Sequence, residues 1–143
     1  MSDITILTVP VFSALANLAF NLRREVFVIE QKVPPEEELD SEDLTAIHMV
    51  AIVDGEVCGT LRILRRPEHY KIGRVAVSQP YRGMGIARAL MVKAMEERRE
   101  ECGDRFYLTS QSDKVGFYEK LGFTAFGEEF MDAGIPHLAM KNY

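Results

Sequence analysis

Cysteine occurs only twice in the 143 residues, at positions 58 and 102, too few and too far apart for a Cys-x-x-Cys redox or zinc pattern or a disulfide scaffold. Both read as buried or half-buried thiols. The three histidines, His48, His69 and His137, show no His-Glu-x-x-His motif and no paired-ligand spacing, so no metal is expected. No apolar run reaches the ~18 residues a membrane-spanning helix needs, and no membrane partner is expected. Internal repeats and low-complexity tracts are also missing. The opening residues, Met1-Ser2-Asp3-Ile4-Thr5, hold an acid where a secretory leader carries positive charge, so a cytoplasmic setting is expected.

What is present suits one domain spanning residues 1–143: 47% of the residues are hydrophobic, enough for a single core and no second one. The net charge of −5 argues against nucleic acid as a partner. That charge is unevenly spread. Glu30 to Asp43 is almost purely acidic and reads as a solvated face, whereas Arg62 to Lys93 is mostly basic and supplies a local field for a small polyanion.

Along the chain, residues 4–9 read as a strand ended by Pro10. Ser13 is a candidate N-cap, and Leu15, Leu18, Leu22, Val26 and Ile29 recur at helical spacing, predicting one amphipathic helix over 13–29. The stretch 33–38 reads as an exposed loop. Two β-rich runs, 46–53 and 57–64, flank Asp54-Gly55, a strong hairpin signal. A strand is expected over 71–77, a helix marked by Ala87, Leu90, Met91, Ala94 and Met95 ending near Gly103, a strand over 106–110, a short helix over 114–121, and last strands at 123–126 and 137–141. These elements make a mixed α/β fold with helices on the faces of one sheet.

The sharpest signal runs from Ile72 to Leu90: an apolar strand, a turn rich in arginine and glycine, then a helix. A helix start leaves about four backbone N–H groups without intrahelical partners and carries roughly half a positive charge. Gly83 and Gly85 keep side chains away from those groups, and Arg82 and Arg88 add full charges, so the segment reads as a phosphate cradle. It is not a P-loop, which needs Gly-Lys-Ser/Thr, nor a dinucleotide motif, which needs a third glycine after the first strand.

The turn Arg82-Gly83-Met84-Gly85-Ile86-Ala87 resembles the coenzyme A loop of the GNAT acetyltransferase superfamily. Arg74-Val75-Ala76-Val77 looks like that family's fourth strand and Phe117-Tyr118-Glu119-Lys120-Leu121-Gly122-Phe123 like its second signature. Residues 22–31 and Gly134-Ile135-Pro136-His137 are similar to the small bacterial ElaA/YjcF-like branch. The resemblance implies one GNAT domain with a mostly antiparallel sheet splayed between its fourth and fifth strands, and acetyl-CoA as co-substrate with no metal. It implies that Val75, Ala76 and Val77 meet the pantetheine arm, and that backbone N–H groups across Gly83, Met84, Gly85, Ile86, Ala87 and Arg88, together with Arg82, meet the pyrophosphate.

The implied reaction moves the acetyl group to a primary amine of a small-molecule or peptide acceptor by direct attack. One proton leaves the amine and one reaches the departing sulfur. Tyr118 matches the family's proton donor to sulfur; its alternative role is a packed aromatic. His137 is the candidate base, histidine being suited to proton transfer near neutrality, or else a strand histidine with one structural hydrogen bond. Glu25, Glu30 and Gln31 match the branch's first-helix signature as acceptor-pocket residues, while His48 reads as structural. The rival from another class is an acyl-CoA-binding sensor or regulatory module without catalysis. Exposed strand edges leave a homodimer open.

Overall fold

The computed structural model describes residues 3–143; Met1 and Ser2, part of the stretch read as lacking a leader, lie outside them. Seven strands form one sheet in the order β1-β2-β3-β4-β5-β7-β6. They are β1 Thr5–Val9, β2 Ile47–Val53, β3 Glu56–Arg65, β4 Tyr70–Val77, β5 Phe106–Gln111, β6 Thr124–Asp132 and β7 Ile135–Lys141. Every pairing is antiparallel except β4 with β5. Two longer helices lie on opposite faces: α1 Ala14–Arg23 and α3 Ile86–Arg98. Strand alternation explains this: Val50 packs with Ala16 and Ala19 of α1, whereas its neighbours Met49 and Ala51 pack with Ile86, Leu90, Met91 and Ala94 of α3. No helix among the described residues is long and apolar enough to cross a membrane.

The β2–β3 hairpin turns at Asp54 and Gly55, with φ of 50° and 79° as its sequence demands. Three expectations need correction. The helix predicted over 13–29 is α-helical only to Arg23 and continues as a π-helix over Arg24–Glu30, with the Gln31 N–H donating to the Val26 carbonyl. Ile29 is therefore 55% exposed rather than part of a buried stripe. The acidic stretch is not a solvated loop: it holds a short helix α2, Pro35–Glu38, and a 3₁₀ turn, Ser41–Leu44, with Glu38 and Asp43 buried. Finally, β6 and β7 form a long hairpin around Ala133 and Gly134, both at positive φ, so strand reaches well beyond 123–126.

Candidate active site

Strands β4 and β5 pair only at Tyr70 with Phe106 and Lys71 with Tyr107, and then part. The cause lies in β4. Its register against β3 jumps from Gly73 opposite Arg62 to Ala76 opposite Thr60, leaving Arg74 and Val75 facing Leu61 alone. Arg74 takes φ of 52°, an unusual conformation for a residue with a Cβ. Its guanidinium holds it there, donating to the Glu37 and Glu38 carbonyls at 3.2 and 2.9 Å and to Asp40 at 3.4 Å. From Ile72 onward the β5 side of β4 has no strand partner, and a cleft of about 710 Å³ opens there.

One wall is the turn into α3. Gly85 is the N-cap at φ of 79° and no side chain caps the helix; the first bond at this end runs from the Ala89 N–H to the Gly85 carbonyl at 3.0 Å. The earlier N–H groups thus have no intrahelical partner, and Gly83, Gly85, Ile86, Ala87 and Arg88 line the cleft. A Cβ built at Gly83 or Gly85 meets nothing within 4 Å, so the space over these N–H groups is open to a phosphate. Arg82 donates from Nε to the Val77 carbonyl at 2.9 Å and from Nη2 to both Glu30 carboxylate oxygens at 3.0 and 2.9 Å. Met84 is in the same turn, exposed and outside the cleft wall. Val75, Ala76 and Val77 line the cleft from β4.

The β5 side contributes α4, Val115–Glu119, whose Tyr118 lines the cleft between the rings of Phe117 and Phe123, both edge-on at 4.9 and 6.3 Å. Burial pushes the Tyr118 phenol up to about 12, so it holds its proton throughout the neutral range. His137 reaches the cleft from β7, opposite Gln111 of β5 and stacked with Phe130 at 5.9 Å. Its Nδ1 lies 2.7 Å from the Ile135 carbonyl. A carbonyl only accepts, so Nδ1 carries the hydrogen and the lone pair of the neutral ring sits on Nε2.

Glu30 and Gln31 line the cleft from the π-helical segment, and Gln31 accepts from Gln111 Nε2 at 2.7 Å, bridging that segment to β5. Glu25 is exposed and outside the cleft wall. His48 is buried, its Nε2 donating to the Asp43 carbonyl at 2.8 Å. Among the described residues no group of three His, Cys, Asp or Glu side chains could hold a metal ion.

A family model described as an acetyltransferase (GNAT) domain matches residues 15–143. The chain belongs to the GNAT family. YjcF of Bacillus subtilis, named an uncharacterized N-acetyltransferase, is 41% identical over 125 residues, covering 85% of this chain and 88% of YjcF. The crystal structure of an acyl-CoA N-acyltransferase from Pseudomonas aeruginosa matches with a TM-score of 0.86 at 31% identity, and that of Escherichia coli ElaA with 0.86 at 30%, each covering 100% of both chains. The β4–β5 divergence is the splay that GNAT membership implied, and the family's activity is acyl transfer from acyl-CoA to an acceptor.

A cluster of buried charges that the sequence pattern did not reveal stands beside that cleft. Arg23, 1% exposed, donates to Glu38 at 2.8 Å and Asp43 at 2.7 Å; Arg62, 5% exposed, donates to Asp40 at 2.7 Å and Asp43 at 2.9 Å. Burial opposes ionisation of Asp43, but hydrogen bonds and charge from the two guanidiniums outweigh it and bring its carboxyl down to about 2. The signal that could have revealed the cluster was present: an acidic run and a basic run in one small domain.

Proposed function

We propose that this chain transfers an acetyl group from acetyl-CoA to a primary amine of a small-molecule or peptide acceptor by direct attack, without a metal. The observation that carries this reading is one cleft bordered by an uncapped helix N-terminus, a protonated phenol and a histidine whose Nε2 holds the lone pair. Bound acetyl-CoA supplies the activated thioester. The N–H groups from Gly83 to Arg88 hold its pyrophosphate, and the unpaired edge of β4 at Val75 and Val77 receives its pantetheine arm as a strand would be received. Nε2 of His137 takes the proton from the amine, and the Tyr118 hydroxyl gives one to the leaving sulfur. Arg82 belongs to the same cradle, although it pairs with Glu30, so cofactor phosphate competes with that carboxylate for it.

The setting proposed is cytoplasmic, with the two thiols free. The test is a panel of polyamines, amino acids, aminoglycosides and peptide N-termini incubated with acetyl-CoA and read by free thiol and product mass. Acetylated product from at least one amine is expected. Tight coenzyme A binding with no thiol released by any amine would instead make the chain a binding module of the same fold.

A further inference from the structure

Strand register puts Arg62 and Leu64 of β3, Lys71 of β4, and Tyr107, Thr109 and Gln111 of β5 on one face of the sheet, the face that α1 packs against. His137, opposite Gln111, shares that face. Lys71 and His137 both line the cleft. Four residues of β5 separate their register positions, about 13 Å along the strand, and two strand spacings, roughly 10 Å, separate them across the sheet.

The cations near Lys71 are already spoken for. Arg23, Arg62 and Arg74 face Glu38, Asp40 and Asp43, and Arg66 holds Glu42 at 2.6 Å. Lys71 makes no ion pair among the described residues, and its Nζ lies 6.0 Å from the Tyr107 ring centroid. Arg88 and Lys114 also line the cleft without an ion pair but are exposed, whereas Lys71 is half-buried. Burial, with repulsion from Arg66, Arg62 and Arg74 outweighing attraction to Glu42, pushes its ammonium below the ordinary lysine value, so an anion would be favoured there. A second observation points the same way: Nε of Arg62 is buried with no hydrogen-bond partner, in a side chain 5% exposed that lines the same cleft. The acids that line the cleft without a described side-chain partner, Glu37 and Asp132, are exposed to solvent.

We propose that the acceptor is an amino-acid-like molecule, a primary amine carrying a carboxylate several bonds away, with Lys71 and the free edge of Arg62 holding the carboxylate while the amine meets His137. This rests on the acyltransferase reading and names its substrate class. The spacing on the sheet, shortened by the reach of both side chains, favours a chain of several methylenes between the two groups.

The experiment compares ω-amino carboxylates of three to six carbons with alkylamines of equal length, using acetyl-CoA and thiol release, in wild type and Lys71→Met. At the favoured length the carboxylate should raise kcat/KM roughly ten- to hundredfold, mainly through KM, the range for a charge-assisted hydrogen bond. Lys71→Met should erase that preference and melt no lower than wild type, since it removes a half-buried ammonium without a partner. Lys71→Gln serves if the Met variant does not fold. Equal turnover of carboxylates and plain amines overturns the substrate class and leaves the acyltransferase reading standing. If no amine is acetylated, that reading fails instead, and calorimetry of 6-aminohexanoate on coenzyme A-loaded protein decides the subsite. Heat lost in Lys71→Met supports it; no heat in wild type overturns it.

Discussion

Tyr118 sits where two aromatic edges and little solvent surround its ring, which is why its phenol rises to about 12. A donor that weak would protonate a water-exposed thiolate, whose thiol ionises near ~8.5, only uphill. The same desolvation raises the basicity of sulfur leaving inside the cleft, which narrows the gap. Tyr118→Phe keeps the ring and its packing, so coenzyme A affinity should match wild type in calorimetry while kcat falls by ~10²–10⁴. Turnover within about threefold of wild type, far short of that range, would make Tyr118 a packing residue. His137 differs because its orientation comes from a hydrogen bond to its own strand, at the Ile135 carbonyl. His137→Ala should depress turnover most at neutral pH and recover partly as rising pH supplies amine already deprotonated. Undiminished neutral-pH rates would pass the proton-accepting role to Glu30 or a water.

At the scale of elements, the cleft depends on how closely α3 lies on β3 and on what its first turn leaves open. A Cβ added to Gly59 would stand 2.7 Å from Ile86 Cγ2 and 3.0 Å from Leu90 Cδ1. Gly59→Ala should therefore cost ~1–3 kcal/mol by overpacking, read as a melting point several degrees lower. At Gly85 the added atom meets empty space, so damage there should be to binding as well as to backbone at φ of 79°. Gly85→Val should abolish coenzyme A binding in calorimetry; preserved affinity would remove the cradle from the mechanism. The sequence announced this turn plainly, because Arg82 and two glycines between an apolar strand and a helix, with Arg88 in that helix's first turn, have few other physical uses. It did not announce the π-helical segment. Leu22 and Val26 keep α-helical spacing and are buried, but beyond Arg23 the wider winding turns Ile29 outward while Glu30 and Gln31 line the cleft. Seven residues are too few for apolar periodicity to separate the two windings. The extension of β6 was hidden similarly: Gly127-Glu128-Glu129 shows no alternation, since the register shifts between Phe126 and Phe130.

Across the whole molecule, the segment between α1 and β2 is tied to β3 and β4 by ion pairs rather than by an apolar face. Read separately, the acidic run looked solvated and the basic run looked free to hold a polyanion; folding sets Arg62 and Arg74 of the basic run, together with Arg23 of α1, against Glu38, Asp40 and Asp43. Composition and net charge record the totals of such groups and not their pairing, so this part of the fold stayed illegible while the hairpin and the helix-start turn did not. Burying ions is costly, and intact pairs of this kind add little net stability, yet removing one partner leaves its mate unpaired in a dry site, at ~3–5 kcal/mol. Asp43 is the hinge of the cluster because it accepts from both Arg23 and Arg62. Its folded carboxyl lies at about 2 against an ordinary 3.8, so its stabilisation is complete above the ordinary value and disappears as pH falls through about 2. At about 1.4 kcal/mol per unit, the shift amounts to roughly 2 kcal/mol. Asp40 is lowered in the same direction by its hydrogen bond from Arg62, reinforcing the slope in the same acid window. Denaturant unfolding from pH 6 to pH 2 should show wild-type stability declining most steeply below about pH 4. Asp43→Asn should begin several kcal/mol lower and decline less through that window, since it has no proton to take up there. Parallel declines in the two proteins would show that Asp43 titrates as an ordinary carboxylate and that acid lability arises elsewhere.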